Sequence, residues 1–184
     1  MNFAEYNVKD ANLEEILLAL KSLDTVEAVA LGGSRSTGAS DENSDYDIYV
    51  YCAEIPTAET RENLLGKYCS IAEFGNHYWE SEDNTVMNNG TPVDIIYREV
   101  DRFDRYIDTV IKGGKAFNGY TTAFWHNIKN SKVLFDKTGT FTKFRDMAQI
   151  DFPENLRSAI IKNNRNLLNL SLIHISEPTR PEPI

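Results

Sequence analysis

Cysteine is scarce in this sequence, with only Cys52 and Cys69 among 184 residues. Neither lies in a Cys-x-x-Cys pair or near a histidine cluster, so we expect two buried thiols in a reducing compartment. No apolar run approaches the roughly 20 residues of a membrane-spanning helix. The segment from Met1 to Asp10 is too polar for a signal peptide. These absences predict a cytoplasmic protein without membrane contact.

Basic residues are also few, with 19 Lys and Arg against 28 Asp and Glu, for a formal net charge of −9. A protein that binds nucleic acid usually presents a basic face, because it must replace the counterions of the phosphates. The balance therefore favours a small molecule or a protein as partner over a nucleic acid. Hydrophobic residues make up 41% of the chain, which predicts a folded core.

The last fourteen residues, Ser171 to Ile184, hold three of the six prolines. Their sequence resembles a peptide translated from sequencing-adapter DNA, and the alternative is a natural proline-rich tail. We interpret residues 171–184 as a non-native tail, exclude them from fold reasoning, and expect the natural protein to continue past Leu170. The tail carries a charge of −1, so the remainder carries −9 − (−1) = −8 and is still acidic.

Helical and strand patterns alternate along the first half of the chain. The segment from Asn12 to Glu15 has the form of a capping box, and apolar residues follow at helical spacing. Val26 to Leu31 predicts a buried strand that Gly32-Gly33 ends, and Asp47 to Tyr51 predicts a second strand. Thr57 to Tyr68 indicates a further helix.

A hairpin is predicted next, with Thr85 to Met87 and Val93 to Tyr97 joined by an Asn-Gly turn. Tyr78-Trp79 favours another strand just before it. A helical face then begins at Val100 and is stopped by Gly113-Gly114.

The remaining segment is less regular, and Phe117 to Phe144 gives no clear pattern. Asp151 is the expected N-cap of a last helix, with Pro153 at an early helical position. The order of elements predicts an α/β fold, a mixed β-sheet packed with helices, in a first domain at residues 1–114. A largely helical region is expected at residues 115–170.

Three aspartates give the strongest indication of chemistry. Asp45 and Asp47 stand at the start of a predicted strand, where side chains two residues apart point to the same face. Two neighbouring carboxylates resist ionising together unless a cation lies between them, and Mg²⁺ prefers carboxylate oxygens. Asp94 interrupts an apolar strand, where a charge needs a partner. If the strands are neighbours, three carboxylates can hold two metal ions roughly 3.5–4 Å apart, as used in displacement at phosphorus.

A glycine segment between the first two strands indicates a phosphate-binding site. Glycines such as Gly33 let backbone N–H groups approach a phosphate, and the Ser34 hydroxyl can donate to it. A short helix starting there would add a favourable dipole. Arg35 or a residue outside the segment would add positive charge. The segment is not a P-loop, because no Gly-Lys-Ser/Thr follows it.

Together these motifs resemble the polymerase-β-like nucleotidyltransferase superfamily: Gly33-Ser34, then Asp45 and Asp47, then Asp94 on a later strand. The chain is more narrowly similar to bacterial stand-alone nucleotidyltransferases of the aminoglycoside and lincosamide type. It also resembles a bacterial group with Gly-Tyr-Thr-Thr and Trp-His-Asn motifs, which stand here at residues 119–122 and 125–127. Tyr46 departs from the superfamily pattern, in which an aliphatic residue is commoner.

The resemblance implies the roles of these residues. Asp45 and Asp47 would hold Mg²⁺ ions, with Mn²⁺ as an alternative, that bridge the phosphates of a nucleoside triphosphate, expected to be ATP. Gly33 and Ser34 would hold the phosphates. Asp94 would bind the catalytic metal or act as general base on an acceptor hydroxyl, which would attack the α-phosphorus.

Several alternatives stay open from the sequence. A small hydroxylated acceptor is expected, and the acidic balance suits a cationic one; a protein acceptor, as for antitoxin-type enzymes, or a non-catalytic nucleotide-binding module are the alternatives. Asp94 could instead be a salt-bridged structural residue. His77 and His126 have no placed partner, so structural roles are expected for both.

Overall fold

The structure, a computed structural model, describes residues 10–41, 44–78, 80–117 and 121–176, with side chains described up to residue 165. The described residues form one six-stranded mixed sheet in the order β3-β4-β5-β2-β1-β6. Its strands are β1 (Val26–Leu31), β2 (Tyr46–Cys52), β3 (Cys69–Asn76), β4 (Ser81–Met87), β5 (Pro92–Glu99) and β6 (Lys132–Asp136). The predicted α/β fold with a mixed sheet is confirmed.

Helices flank the sheet along the chain. They are α1 (Ala11–Ser22), α2 (Gly33–Thr37), α3 (Ala58–Leu65), α4 (Val100–Ile107), α5 (Ala123–Asn130), α6 (Thr140–Ala148) and α7 (Glu154–Ser176). A 3-10 turn (Gly66–Tyr68) extends α3, and a π-helical turn (Asp108–Lys112) extends α4. Among the described residues no helix is both long enough and apolar enough to span a membrane.

Each face of the sheet covers its own hydrophobic core. On one face, α1 contributes buried leucines and isoleucine that pack against Val29, Ile48 and Ile95. On the other face, the helices after β5 pack aromatic side chains against Tyr51 and Ile96. Strand residues alternate between the two cores, as the two-residue period of a β-strand requires.

The pairing of β2 with β5 decides where the site forms. The two strands run parallel, and Asp47 lies directly opposite Asp94 in the register. Strand β5 also closes the predicted hairpin with β4, in which Asn84 pairs with Asp94. The expectation that the hairpin strand lies beside the Asp47 strand is confirmed.

Helix ends differ from the sequence predictions at two positions. Helix α1 is capped by Asp10, whose carboxylate accepts from the backbone N–H groups of Asn12 and Leu13, so the predicted capping box at Asn12 is wrong. An aspartate two residues upstream offers the same acceptor to the first turn. Helix α7 begins at Glu154, so Pro153 precedes it and Asp151 lies too far upstream to be its cap.

Strand boundaries also differ from prediction. Strand β3 ends at Asn76, and Tyr78 lies outside it with 69% of its surface exposed, so the strand predicted there is wrong for Tyr78; Trp79 lies outside the described residues. The segment without a clear pattern contains β6, which pairs with β1 at the far edge of the sheet. The domain boundary at residue 114 stays a prediction.

Candidate active site

Two carboxylates lie side by side where β2 and β5 begin. Asp47 and Asp94 occupy opposite register positions on adjacent parallel strands, so their side chains share one face of the sheet. Both are partly buried. Within the described ranges, no basic side chain forms an ion pair with Asp94. The salt-bridged structural alternative for Asp94 therefore has no support in these contacts.

The environment of Asp47 disfavours its charge. Burial raises the pKa of the Asp47 carboxyl above its ordinary value of 3.8, and the nearby charges of Asp45 and Asp94 raise it further. An anion in this position gains from a cation that neutralises it. The charges of the other two predicted aspartates thus both bear on the pKa of Asp47.

Asp45 lies on the segment that leads into β2, one residue before the strand begins, and its side chain is exposed. The backbone here is held by Arg35, whose Nε donates to the carbonyl oxygens of Ser44 at 3.0 Å and Asp45 at 2.9 Å. The Arg35 guanidinium also stacks 4.0 Å from the centre of the Tyr46 ring. Tyr46, the departure from the superfamily pattern, thus positions Arg35, and Arg35 positions the segment that carries Asp45.

The glycine segment packs directly against Asp47. Gly33 begins α2 with φ of +59°, a conformation that favours glycine. A Cβ at Gly33 would lie 1.8 Å from Oδ2 of Asp47, so only glycine leaves room for that carboxylate. The Gly32 N–H donates to the Asp47 carbonyl oxygen at 2.8 Å. The half-buried Ser34 hydroxyl has no side-chain partner among the described residues, which leaves it available to a ligand.

A chain of amides reaches Asp94 from the edge of the sheet. Nδ2 of Asn84 donates to Oδ1 of Asp94 at 2.9 Å, and Nδ2 of Asn76 donates to Oδ1 of Asn84 at 2.8 Å. These bonds fix the orientation of Asp94 and leave its second oxygen for a ligand. Asn84 was not predicted from the sequence, although the Asn-Gly turn places positions 84 and 94 opposite each other.

Two charged residues near the site also escaped the sequence reasoning. The pKa of Glu82 is raised, first by burial and then by the charges of Asp94, Glu80 and Asp83. Lys132, at the start of β6, donates from Nζ to the Arg35 carbonyl oxygen at 3.3 Å. Lys132 is thereby a cation beside the glycine segment. It was missed because no strand was assigned to its segment.

A divalent cation fits the donor set in chemistry. Asp45, Asp47 and Asp94 supply only hard carboxylate oxygens, and the raised pKa of Asp47 reports an anionic site without a counter-charge. Within the described ranges, however, no three Asp, Glu, His or Cys side chains converge closely enough to hold one ion. The three aspartates therefore do not form a preassembled three-ligand set in the structure.

A large cavity of about 990 Å³ lies on the same face of the sheet as the two aspartates. Tyr49 and Ile96, each two residues beyond an aspartate, form part of its floor. Its walls carry the aromatic rings of Phe103, Tyr106, Phe117 and Phe124. Burial raises the pKa of Tyr49 to about 12, although the charge of Arg98 opposes this, so its hydroxyl keeps its proton at neutral pH.

A smaller cavity of about 220 Å³ adjoins the glycine segment. Gly33 and Ser34 line one side, and residues of α5, including His126 and Asn127, line the other. His126 is exposed, and His77 is an exposed residue at the large cavity, so neither is a buried structural histidine. The Trp-His-Asn segment therefore lies at the candidate site, while Gly119 and Tyr120 lie outside the described residues.

Comparison with known proteins places the chain in a family. A family model described as "Nucleotidyltransferase domain" matches residues 13–117, which is more than half of the chain. The matched range contains the glycine segment and all three aspartates. No curated protein matches the sequence.

Solved structures with a similar fold include a toxin–antitoxin with AMP-PNP, at 15% identity and a TM-score of 0.47, covering 86% of this chain and 97% of that one. A mutant MntA–HpeT toxin–antitoxin shows 13% identity and a TM-score of 0.47, covering 89% and 99%. The structure of Cid1 with its short product ApU shows 18% identity and a TM-score of 0.37, covering 54% and 34%.

Proposed function

The chain belongs to the nucleotidyltransferase domain family, and from this premise we propose that it transfers a nucleotidyl group, AMP from ATP, to a hydroxyl of a small-molecule acceptor. The observation that carries the proposal is the register pair of Asp47 and Asp94 against the glycine segment. These two aspartates provide the carboxylates that would hold a metal ion next to the reacting phosphorus. The glycine segment provides close backbone approach for the phosphates.

The proposed roles follow from the contacts. Asp45, Asp47 and Asp94 would hold two Mg²⁺ ions, which when bound neutralise the charge on the phosphates and on the leaving pyrophosphate. Ser34, whose hydroxyl has no side-chain partner in the part of the chain that the structure describes, donates to a phosphate oxygen, and Lys132 adds positive charge beside the same segment. Arg35 reaches the phosphates only if it releases the carbonyl oxygens of Ser44 and Asp45.

The reaction forms one bond and breaks one. The acceptor oxygen bonds to the α-phosphorus, the bond from that phosphorus to the bridging β-phosphate oxygen breaks, and pyrophosphate leaves with the electron pair. Asp94 takes the proton of the acceptor hydroxyl, and Asn84 keeps the receiving carboxylate aimed at it. The chain contributes mainly position and electrostatics.

The size of the large cavity supports a small-molecule acceptor. Its volume of about 990 Å³ lies near the top of the range typical of ligand pockets, so an acceptor can lie beside a bound nucleoside. Its two buried arginines are paired with carboxylates: Arg61 with the buried Asp83, and Arg98 with the more exposed Glu80. The cavity does not itself select a cationic acceptor, and the preference for one rests on the net charge of the whole chain.

The first experiment measures binding of α-labelled ATP by the whole chain with Mg²⁺ or with a chelator. We expect metal-dependent binding by the native sequence and none by Asp47→Ala. Asp151→Ala, a change at an exposed aspartate before α7, is the matched control and should bind as the native chain does. Binding that does not need a divalent ion, or no binding at all, would contradict the proposal.

The second experiment offers acceptors to the labelled complex: cationic aminoglycosides, neutral polyhydroxylated compounds and proteins of a cell extract. Transfer of label to a small molecule, lost in Asp94→Ala, is the expected result. Transfer to protein alone would replace the proposed acceptor class with the protein-modifying alternative.

A further inference from the structure

One side chain borders both cavities of the candidate site. Asn127 lines the small cavity beside Ser34 and also the large aromatic cavity beyond it. It lies on α5, in the Trp-His-Asn segment and outside the range 13–117 that the family model matches. A ligand that occupied both cavities would therefore lie beside this residue.

A hydrogen bond to Tyr49 fixes the orientation of the Asn127 side chain. Its Nδ2 donates to the hydroxyl oxygen of Tyr49 at 2.8 Å. The Tyr49 ring is itself held in place, because it packs so closely on Gly32 that a Cβ there would lie 2.4 Å from the ring. With its nitrogen engaged, Asn127 presents its amide oxygen as an acceptor, and that oxygen has no hydrogen-bond partner among the described residues.

Aromatic rings form part of the wall beyond Asn127 and suit a flat ring, while the exposed Arg102 lines another part of the cavity. Tyr106 stacks on Phe117 with ring centres 5.6 Å apart and meets Phe124 edge-on at 5.0 Å. Aromatic faces of this kind bind a nucleobase by stacking. The two buried arginines at the cavity are each paired with a carboxylate, so they do not favour an anion in this space.

We propose that the large cavity is the nucleoside subsite, in which Asn127 accepts a hydrogen bond from a ribose hydroxyl and thereby selects ribonucleoside triphosphates. The inference rests on the proposed function, since it needs the triphosphate at Ser34 and the α-phosphorus at the paired aspartates. The sugar then falls between them and the aromatic walls, which is the position of Asn127. The amide oxygen can accept from a hydroxyl and gains nothing from a C–H.

The test compares ATP, 2′-deoxy-ATP and 3′-deoxy-ATP in Mg²⁺-dependent binding to the whole chain. Loss of one neutral hydrogen bond weakens binding about fivefold, so the native chain should bind at least one deoxy analogue about fivefold less tightly than ATP. Asn127→Ala should reduce this ratio to about one. Asn130→Ala is the matched control: Asn130 lies on the same helix and lines only the small cavity, so the ratio should stay at the native value.

Inorganic tripolyphosphate separates sugar recognition from phosphate recognition. Its Mg²⁺-dependent binding should be unchanged in Asn127→Ala, and a loss there would overturn the inference by making Asn127 a phosphate ligand. Tyr106→Ala should weaken ATP but not tripolyphosphate, because it removes part of the stacking wall.

The outcomes distinguish the two proposals. If the native chain binds ATP with Mg²⁺ but shows no preference over either deoxy analogue, or if Asn127→Ala keeps the preference, the inference fails and the proposed function stands. If the native chain binds no nucleotide, both fail. Should Asn127→Ala not fold, Tyr49→Phe keeps the ring and removes only the hydroxyl that orients the amide; a native ratio in that variant overturns the inference.

Discussion

At the scale of single residues, the pairing of β2 with β5 places two carboxylates of like charge, Asp47 and Asp94, on neighbouring strands. Asp47 is partly buried near Asp45 and Asp94. Burial and the two neighbouring charges make its ionisation less favourable, which raises its pKa. Asn84 donates a hydrogen bond to the neighbouring Asp94 carboxylate and holds its orientation. A cation placed between these carboxylates would favour the charged form of Asp47.

The raised pKa of Asp47 predicts how stability depends on pH. A carboxyl with a higher pKa in the folded than in the unfolded state destabilises the fold above its folded pKa, and the penalty disappears as pH falls towards its ordinary value of 3.8. Asp47→Asn should therefore raise the melting temperature of the chelator-treated protein at pH 7, and the gain should shrink towards pH 4. Asp151→Asn, at an exposed site, should show no gain; an equal gain there would contradict the assignment.

The amide that orients Asp94 predicts a loss of metal affinity. Asn84→Ala removes the hydrogen bond to Oδ1 and leaves the carboxylate free to turn, and losses of such outer contacts typically weaken metal binding about tenfold or more. Titration with Mn²⁺, followed by electron paramagnetic resonance, measures the change. Asn88→Ala, an exposed site that bonds only to the Lys67 carbonyl oxygen, should keep native affinity.

At the scale of elements, α2 shows how much of the site depends on one turn of helix. Gly33 begins α2 and Gly38 ends it, and both have positive φ, at +59° and +79°. The two glycines differ in their surroundings: a Cβ at Gly33 would collide with the Asp47 carboxylate, whereas one at Gly38 meets nothing within 4 Å. A comparison of substitutions at these two glycines therefore separates the effect of backbone strain from the effect of a collision with the Asp47 carboxylate.

Alanine at either glycine should destabilise the fold by about 1–2 kcal/mol, because each adopts a conformation that strains other residues. Only Gly33→Ala should also lose Mg²⁺-dependent ATP binding, since its Cβ displaces the Asp47 carboxylate. Chemical denaturation gives the first quantity and nucleotide titration the second. Equal loss of binding in Gly38→Ala would show that strain alone, and not the collision, impairs the site.

The elements also show how far the sequence alone could predict this site. Strands β1, β2 and β5 and the β4–β5 turn carry strong local patterns, and their neighbouring register brings Asp47 to Asp94 as expected. Tyr49 lies in the predicted strand and Asn127 in the Trp-His-Asn motif, but the contact between them and the approach of Lys132 to the glycine segment join residues far apart in the chain, which no local pattern predicts. The cap of α1 was misplaced because Asp10 and Asn12 offer similar side-chain acceptors within one turn.

At the scale of the whole molecule, the net charge of −9 opposes the approach of a nucleoside triphosphate, which is itself an anion. The opposition is strongest where Asp45, Asp47 and Asp94 face the proposed phosphate position. Under the proposed function, a divalent ion reverses the local sign, so the carboxylates that would repel the free nucleotide attract the metal-bound one. The acidity of the chain is then compatible with binding of an anionic substrate.

This change of local sign predicts that Asp47→Asn has opposite effects on the affinity for ATP with and without Mg²⁺. With a chelator present, Asp47→Asn should bind ATP more tightly than the native chain, because one repulsive charge is gone; with saturating Mg²⁺ it should bind more weakly, because a metal ligand is gone. Isothermal titration in both conditions measures the two affinities, and Asp151→Asn should match the native chain in each. A substitution that weakened ATP binding with and without Mg²⁺ would mean that Asp47 supports the nucleotide through structure alone, and that the acidic site does not work through a cation.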